Sequence, residues 1–460
     1  MTVIEKLAEW TSNASTLHPT LAIERASEAF EDVIGCMIAG LDEPSVTRVR
    51  RSVARRGEGG AMVIGQRSGA PAPLAALING TSAHALDYDD EFLPALTHAS
   101  AVMVPALLAI AEERNLPGAA IMDAYIVGIE LHAALGRGVI RSHYDMGWHA
   151  TSTIGAIGTA GACARLLGLD VSGVAHALSI GVSMASGCKV QFGSMAKSLH
   201  AGLAAQRAIE AAELAAAGVE GQLNALEGPM GFLDLCGGPS PAGWNDSLGS
   251  LGEPLAIIKY GLMAKRYPCC TAAHRILDCV RKLRYEERFE AKDVVSVDAL
   301  VGYGHKKNLM YEDPQTETEA RFSMQYCVAV ALLFGDVKLA DFTPQAVHRP
   351  DVRALHGLIR VNASKPGAEQ MDSAAVAPHE VTIMLRDGRK LKASQLALKG
   401  SIEAPFDKAE RDAKFKECTL NFMTDSAACQ LRHHVWSLVS SDNVGNLAKM
   451  LRNEVAIKLS

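Results

Sequence analysis

The sequence predicts a mainly α protein, with a large all-helical domain and a smaller α+β domain. Apolar residues recur at helical spacing through the first 268 residues. After Pro268 the pattern changes to strand-like alternation, and helical spacing returns after Phe406. The organisation expected is an all-helical domain of residues 1–268 with 404–460, and a small α+β domain of residues 269–403.

In chain order, Ile23, Ala26, Phe30, Val33, Ile34 and Met37 mark one helical face, stopped at Gly40. A second helix is expected over 101–114 with Ser100 as its N-cap, and a third over 120–136. The fourth, 151–167, carries Gly155, Gly158 and Gly161. Glycine inside a helix costs about 1 kcal/mol against alanine, so close packing is the expected compensation and this helix belongs at the domain centre. An alanine-rich helix over 201–217 ends at Gly218. Beyond Pro268, strands are expected at 294–303 and 355–364, with a helix over 317–335 between them. At 379–393, Val381, Ile383 and Leu385 alternate with polar residues before a turn at Asp387-Gly388, a hairpin signal.

The chain has 460 residues, 48% hydrophobic and 21% charged, with net charge −6. That balance argues against nucleic acid as a partner, since phosphate binding needs a basic face. No uninterrupted apolar run reaches bilayer length; the longest weakly polar one, 154–164, ends at Arg165. Glu5, Lys6 and Glu9 stand where a signal peptide would be apolar, so a cytoplasmic protein with no membrane partner is expected. Ten cysteines occur without a CxxC pair, which reads as reduced thiols and argues against an iron–sulfur site. Cys269, Cys270 and His274 lack the second ligand pair that a structural metal site would need.

Four stretches carry residues suited to chemistry. In GSMAKSLHAG (193–202), Lys197 lies among small residues beside His200 and a helix N-terminus. Desolvation there would lower its pKa and make it a proton-transfer group. Ser194 and Lys197 also match the SxxK motif of penicillin-binding serine enzymes; Ser441-Asp442-Asn443 follows, but no KTG does. In LDYDDEFLPALTHAS (86–100), acidic residues crowd a helix end, where the dipole disfavours them. That asks for a role, with a carboxylate orienting His98 or Lys197. His98, near the next helix N-terminus, is expected to stay neutral. RSHYDMGWHATST (141–153) supplies Tyr144 and His149 from a loop between core helices, with Tyr144 needing a cation such as Lys197 to lower its pKa. MAKRYPCCTAAH (263–274) places Lys265 and Arg266 at the domain junction, where they could bind carboxylates.

Together these stretches resemble the MmgE/PrpD family. GWHATSTIGAIGTAGACARLLGLD is similar to its central helix, GSMAKSLHAGLAAQRAIEAAELAAAGVEG to its lysine loop and following helix, and EARFSMQY (319–326) to its small-domain helix. The likeness runs in order through most of residues 20–335. It implies the two-domain fold of that family, with a site between the domains. It also implies a homodimer acting on small anionic polycarboxylates without metal or organic cofactor. The implied site is Asp90, His98, Tyr144, His149, Lys197 and Lys265. Decarboxylase-like members carry Trp-His after the double aspartate and a histidine soon after the junction proline. This chain has Glu91-Phe92-Leu93 and Cys269-Cys270 at those places. The expected reaction is therefore epimerisation of an iminodisuccinate-type polycarboxylate, with Lys197 and Tyr144 on opposite faces of the acidic carbon and His98 in support. A 2-methylcitrate-type dehydration, then a cis-aconitate-type decarboxylation, are the alternatives.

Overall fold

Apolar spacing at 3.6 residues needs a neighbour to cover the stripe it makes, and the helices of the first 260 residues cover one another. The structure, a computed structural model, describes residues 1–365 and 377–456; parts of the expected small domain and of the C-terminal return lie outside them. The helices that position the site are α1 (Thr20–Ala39), α2 (Ala72–His84), α3 (Ala99–Arg114), α4 (Gly118–Val139), α5 (Ala150–Leu166) and α6 (Met195–Ala216). They bury one core cluster running from Ile4 to Ile257, which the segment from Phe415 to Val455 joins. A second cluster runs from Tyr267 to Leu391.

The glycines of α5 mark close approaches, as expected: a Cβ on Gly158 would stand 2.5 Å from the His132 ring of α4. The same logic joins α6 to α2, where a Cβ on Gly202 would lie 2.2 Å from the Leu77 carbonyl. α3 begins at Ala99 with His98 at its N-cap, not Ser100, because the Ser100 hydroxyl is taken by Asp90. α4 is long and apolar enough to cross a membrane, contrary to the sequence expectation, but it is a core helix here. Its charges have buried partners: Glu130 accepts the Gly252 and Ala256 N–H groups at 3.0 and 2.6 Å, and Asp123 meets Arg165 at 2.9 Å.

After α7 (Thr271–Glu287) come β1 (Val294–Val301), α8 (Met324–Phe334), β2 (Ile359–Ala363), β3 (His379–Leu385) and β4 (Lys390–Gln395). The sheet order is β2-β1-β3-β4, with β1 parallel to β2 and the other pairs antiparallel. The β3–β4 hairpin turns through Gly388 at φ 88°, the left-handed backbone the Asp-Gly signal requires. The single helix expected over 317–335 is broken. A short turn, Glu317–Ala320, ends at Arg321, and Ser323 caps a new helix through the Tyr326 N–H. The break frees Arg321 to reach back to the large core. The chain then returns through α9 (Lys408–Thr419), which packs on α1.

Candidate active site

Just beyond α2 the chain runs through a strap, residues 86–88, whose buried carbonyls need partners and find them in cations from far along the chain. Arg321 Nη1 donates to the Leu86 carbonyl at 2.8 Å, Lys265 Nζ to the Asp87 carbonyl at 3.0 Å, and Lys414 Nζ to the Tyr88 carbonyl at 2.9 Å. All three cations are buried. They come from the small domain, the junction and α9, so three separate segments fix one strap. Asp87 adopts φ 51°, an uncommon conformation for a residue with a side chain. This sends its carboxylate one way and that of Asp90 the other.

The Asp87 carboxylate lies between two ammonium groups. Oδ1 hydrogen-bonds Lys197 Nζ, and Oδ2 is 3.1 Å from Lys265 Nζ. Burial pushes the Asp87 pKa up, but the two lysines outweigh it and hold the carboxyl well below its ordinary range. Burial also works against the Lys265 ammonium, yet Asp87, Asp89 and Glu91 raise its pKa above the usual lysine value. Lys197 differs. Burial, with Lys265 adding to it, wins over Asp87 and lowers its pKa. Of the two cations, Lys197 is the one that exchanges a proton more readily. It sits in the first turn of α6 rather than in the loop before it, with the rings of Phe192 and Phe322 at 5.9 and 5.6 Å.

Asp89 serves two imidazoles with one oxygen: Oδ2 is 2.7 Å from His84 Nδ1 and 3.1 Å from His98 Nδ1. The His98 backbone N–H donates to Thr151 Oγ1 at 3.1 Å, which ties the histidine to α5. His149 caps α5, stacks near His84 and meets His200 at 3.0 Å; burial first, then its cationic neighbours, lowers its pKa well below normal. Donor atoms of His84, Asp87, Asp89 and His98 all lie within 4.8 Å, close enough to enclose a metal ion. Asp87 is committed to two ammonium groups and Asp89 to two imidazoles, so a metal would have to displace existing charge pairs.

These groups open onto a cavity of about 140 Å³ between the two cores. Of the residues expected from sequence, Lys197, Lys265, His98, Tyr144 and His149 line it together; Asp87, Thr271, Arg275 and Asn308 join them. Tyr144 accepts from Asn308 Nδ2 at 3.1 Å. The cation nearest its ring is not Lys197 but Lys189, 3.5 Å from the centroid. Its pKa is not lowered as expected: burial, then Cys270 and Glu91, raises it well above the ordinary tyrosine value. Tyr144 is thus held protonated.

Two expected site residues lie elsewhere. Asp90 faces a second cavity behind the strap, with Asp32 and Lys414, and takes the Ser100 hydroxyl and N–H. Burial raises its carboxyl to about 7. Arg266 turns outward to Asp278 at 3.5 Å and Glu410 at 4.0 Å, an ordinary half-exposed pairing. Sequence reasoning passed over His84, Asp89 and Asp87 as individual site members. The acidic cluster signalled all but His84, which has no motif around it; which aspartate faces the cavity depends on the Asp87 backbone turn.

Comparison with known proteins fits this arrangement. Residues 5–245 match the model of the MmgE/PrpD N-terminal domain and residues 267–438 that of the MmgE/PrpD C-terminal domain. Cis-aconitate decarboxylase of Homo sapiens is 28% identical over 83% of this chain and 76% of its own length. The Mus musculus protein of the same name is 28% identical over 75% of this chain and 71% of its own. A cis-aconitate decarboxylase-like protein, oryM, of Aspergillus oryzae is 23% identical over 98% of both chains.

Proposed function

From the premise that the chain belongs to the MmgE/PrpD family, we propose that it is a lyase acting on a small polycarboxylate, and that its reaction is a decarboxylation of the cis-aconitate type. The observation that carries this is the unequal lysine pair on Asp87. Lys265, held as an ammonium, binds a substrate carboxylate. Lys197, with its lowered pKa, moves the proton. When the bond to the departing carboxylate breaks, its electron pair spreads through the adjacent alkene toward a remaining carboxylate. Lys265 stabilises that charge in a site screened from water, and Lys197 or the protonated Tyr144 supplies the proton. His98, oriented by Asp89, supports the transfer.

The same geometry weighs against the expected epimerase. Two-base epimerisation requires Tyr144 to take a proton in one direction, and a buried tyrosine with a raised pKa is a poor base. The names of the relatives also favour a lyase. Dehydration of a hydroxy-tricarboxylate is the second reading, favoured by Glu91-Phe92-Leu93 and Cys269-Cys270 standing where decarboxylase-like members differ.

The experiment is proton and carbon NMR of cis-aconitate with the protein in D₂O. Released CO₂ and a deuterated unsaturated dicarboxylate are expected. Water loss from 2-methylcitrate without CO₂ from cis-aconitate would replace decarboxylation by dehydration. Deuterium at a stereocentre of iminodisuccinate, with no CO₂ from cis-aconitate, would restore the epimerase.

A further inference from the structure

Tyr144 stands on a short helix, Ser142–Met146, that no side chain caps at its start and that follows Arg141 at φ 63°. A helix this short does not hold itself, or its side chains, in place. The backbone already pins the surrounding loop to the segment 187–189. The His149 N–H donates to the Gly187 carbonyl at 3.0 Å, and the Lys189 N–H to the Gly147 carbonyl at 2.8 Å. Those bonds leave the Lys189 side chain free for another role. A buried ammonium is costly unless it is paired, yet Lys189, 8% exposed, makes no ion pair among the described residues. Its head goes to Tyr144 twice. Nζ donates to the Tyr144 carbonyl at 3.2 Å and lies 3.5 Å from the centre of the Tyr144 ring, well inside cation–π range. At the far end of the ring, Asn308 Nδ2 donates to the phenol oxygen at 3.1 Å. Tyr144 is thus gripped by its face and by its tip where it lines the catalytic cavity.

We infer that Lys189 is a positioning residue, whose ammonium fixes the plane of the Tyr144 ring and so aims the phenol hydroxyl at the carbon that receives the proton. This rests on the reading in which Tyr144 delivers that proton. Lys189 stands behind the ring and is not part of the cavity wall. Its hold depends on its charge. Burial lowers its pKa to about 8; Asp145 on the same loop and Cys270 ahead of α7 oppose this, while Arg141 and Lys307 add to it. The ammonium is therefore largely intact at pH 7 and largely lost at pH 9, and the grip on Tyr144 loosens across that window.

The test is a double-mutant cycle on cis-aconitate turnover, with Lys189→Met, Tyr144→Phe and the two combined. Lys189→Met should lower kcat roughly ten- to a hundredfold with KM nearly unchanged, the cost of a proton donor misplaced by about 1 Å. The double variant should be no slower than Tyr144→Phe, because the aim of a hydroxyl ceases to matter once the hydroxyl is gone. Losses that multiply in the double variant, a Lys189→Met as fast as wild type, or a Tyr144→Phe as fast as wild type each overturn the positioning role. A second readout needs no turnover. The carbon-13 NMR signal of Tyr144 Cζ, identified by its loss in Tyr144→Phe, should shift as wild type is titrated from pH 7 to pH 9 and stay still in Lys189→Met. The phenol itself ionises well above that range, so the shift reports Lys189. A wild-type signal that ignores the titration overturns the grip. If wild type leaves cis-aconitate unchanged while that signal shifts, the decarboxylation reading falls and the hold of Lys189 on Tyr144 stands.

Discussion

Asp87→Asn keeps the shape of the strap and removes one negative charge from between two buried ammonium groups. The amide oxygen of the variant can still meet Lys197, but the charge between Lys197 and Lys265 is gone, and only the weaker fields of Asp89 and Glu91 still oppose their repulsion. Two like charges about 4 Å apart at an effective dielectric near 20 cost about 4 kcal/mol. Removing one partner of a buried pair typically costs about 3–5 kcal/mol, the same scale. The variant has one escape: Lys197, already lowered by burial, gives up its proton. A lysine whose folded pKa lies below its unfolded value binds fewer protons in the native state. Stability then rises with pH between the two values. The deficit of Asp87→Asn relative to wild type should therefore be largest near pH 7 and shrink toward pH 9. Adding Lys197→Met removes the repulsion outright and should recover most of the loss. Thermal melting of the four proteins of this cycle at both pH values is the assay. If Asp87→Asn melts with wild type at pH 7, or the double variant recovers nothing, Asp87 is not the shared counter-ion and the lysine assignments fail.

Other expectations follow from the same strap. Asp90→Asn should leave turnover intact, since Asp90 faces the rear cavity. It should also remove a pH dependence: with its carboxyl raised to about 7, Asp90 costs the fold on the order of 4 kcal/mol once ionised, so wild-type stability should fall from pH 5 to pH 8 more steeply than that of the variant. Equal slopes would show that Asp90 is ionised throughout. Lys414 never reaches the catalytic cavity, but its hold on the Tyr88 carbonyl places Asp87 and Asp89 on either side. Lys414→Met combined with Asp32→Asn, which avoids stranding the Asp32 carboxylate 2.6 Å away, should lower kcat roughly ten- to a hundredfold with KM nearly unchanged. A proportional loss in both, explained by a smaller folded fraction, would reduce Lys414 to a structural role.

The helical periods, the glycine-lined α5 and the Asp-Gly hairpin were legible because each depends on local spacing. The break at Arg321 was not: no residue in 317–335 forbids a continuous helix, and the reward for breaking it is a contact with Leu86, 235 positions away. Lys197, Lys265, His98, Tyr144 and His149 could be found because an ammonium among small residues, or histidines in a loop between core helices, is unusual in any fold. That Asp87 rather than the expected Asp90 faces the cavity with Lys197 has a backbone reason. Neighbouring aspartates look alike until a left-handed turn at one of them separates their directions. Tyr144 lines the cavity, but its pKa is raised rather than lowered, since the cation that reaches it is Lys189 and burial dominates.

The most direct measurement is the turnover of Lys197→Met on a polycarboxylate substrate, followed by CO₂ release and NMR. Folding should survive, because Lys265 remains to balance Asp87. The account predicts a loss of at least about a hundredfold in kcat with a melting temperature near that of wild type. Near-normal turnover in the well-folded variant would contradict it.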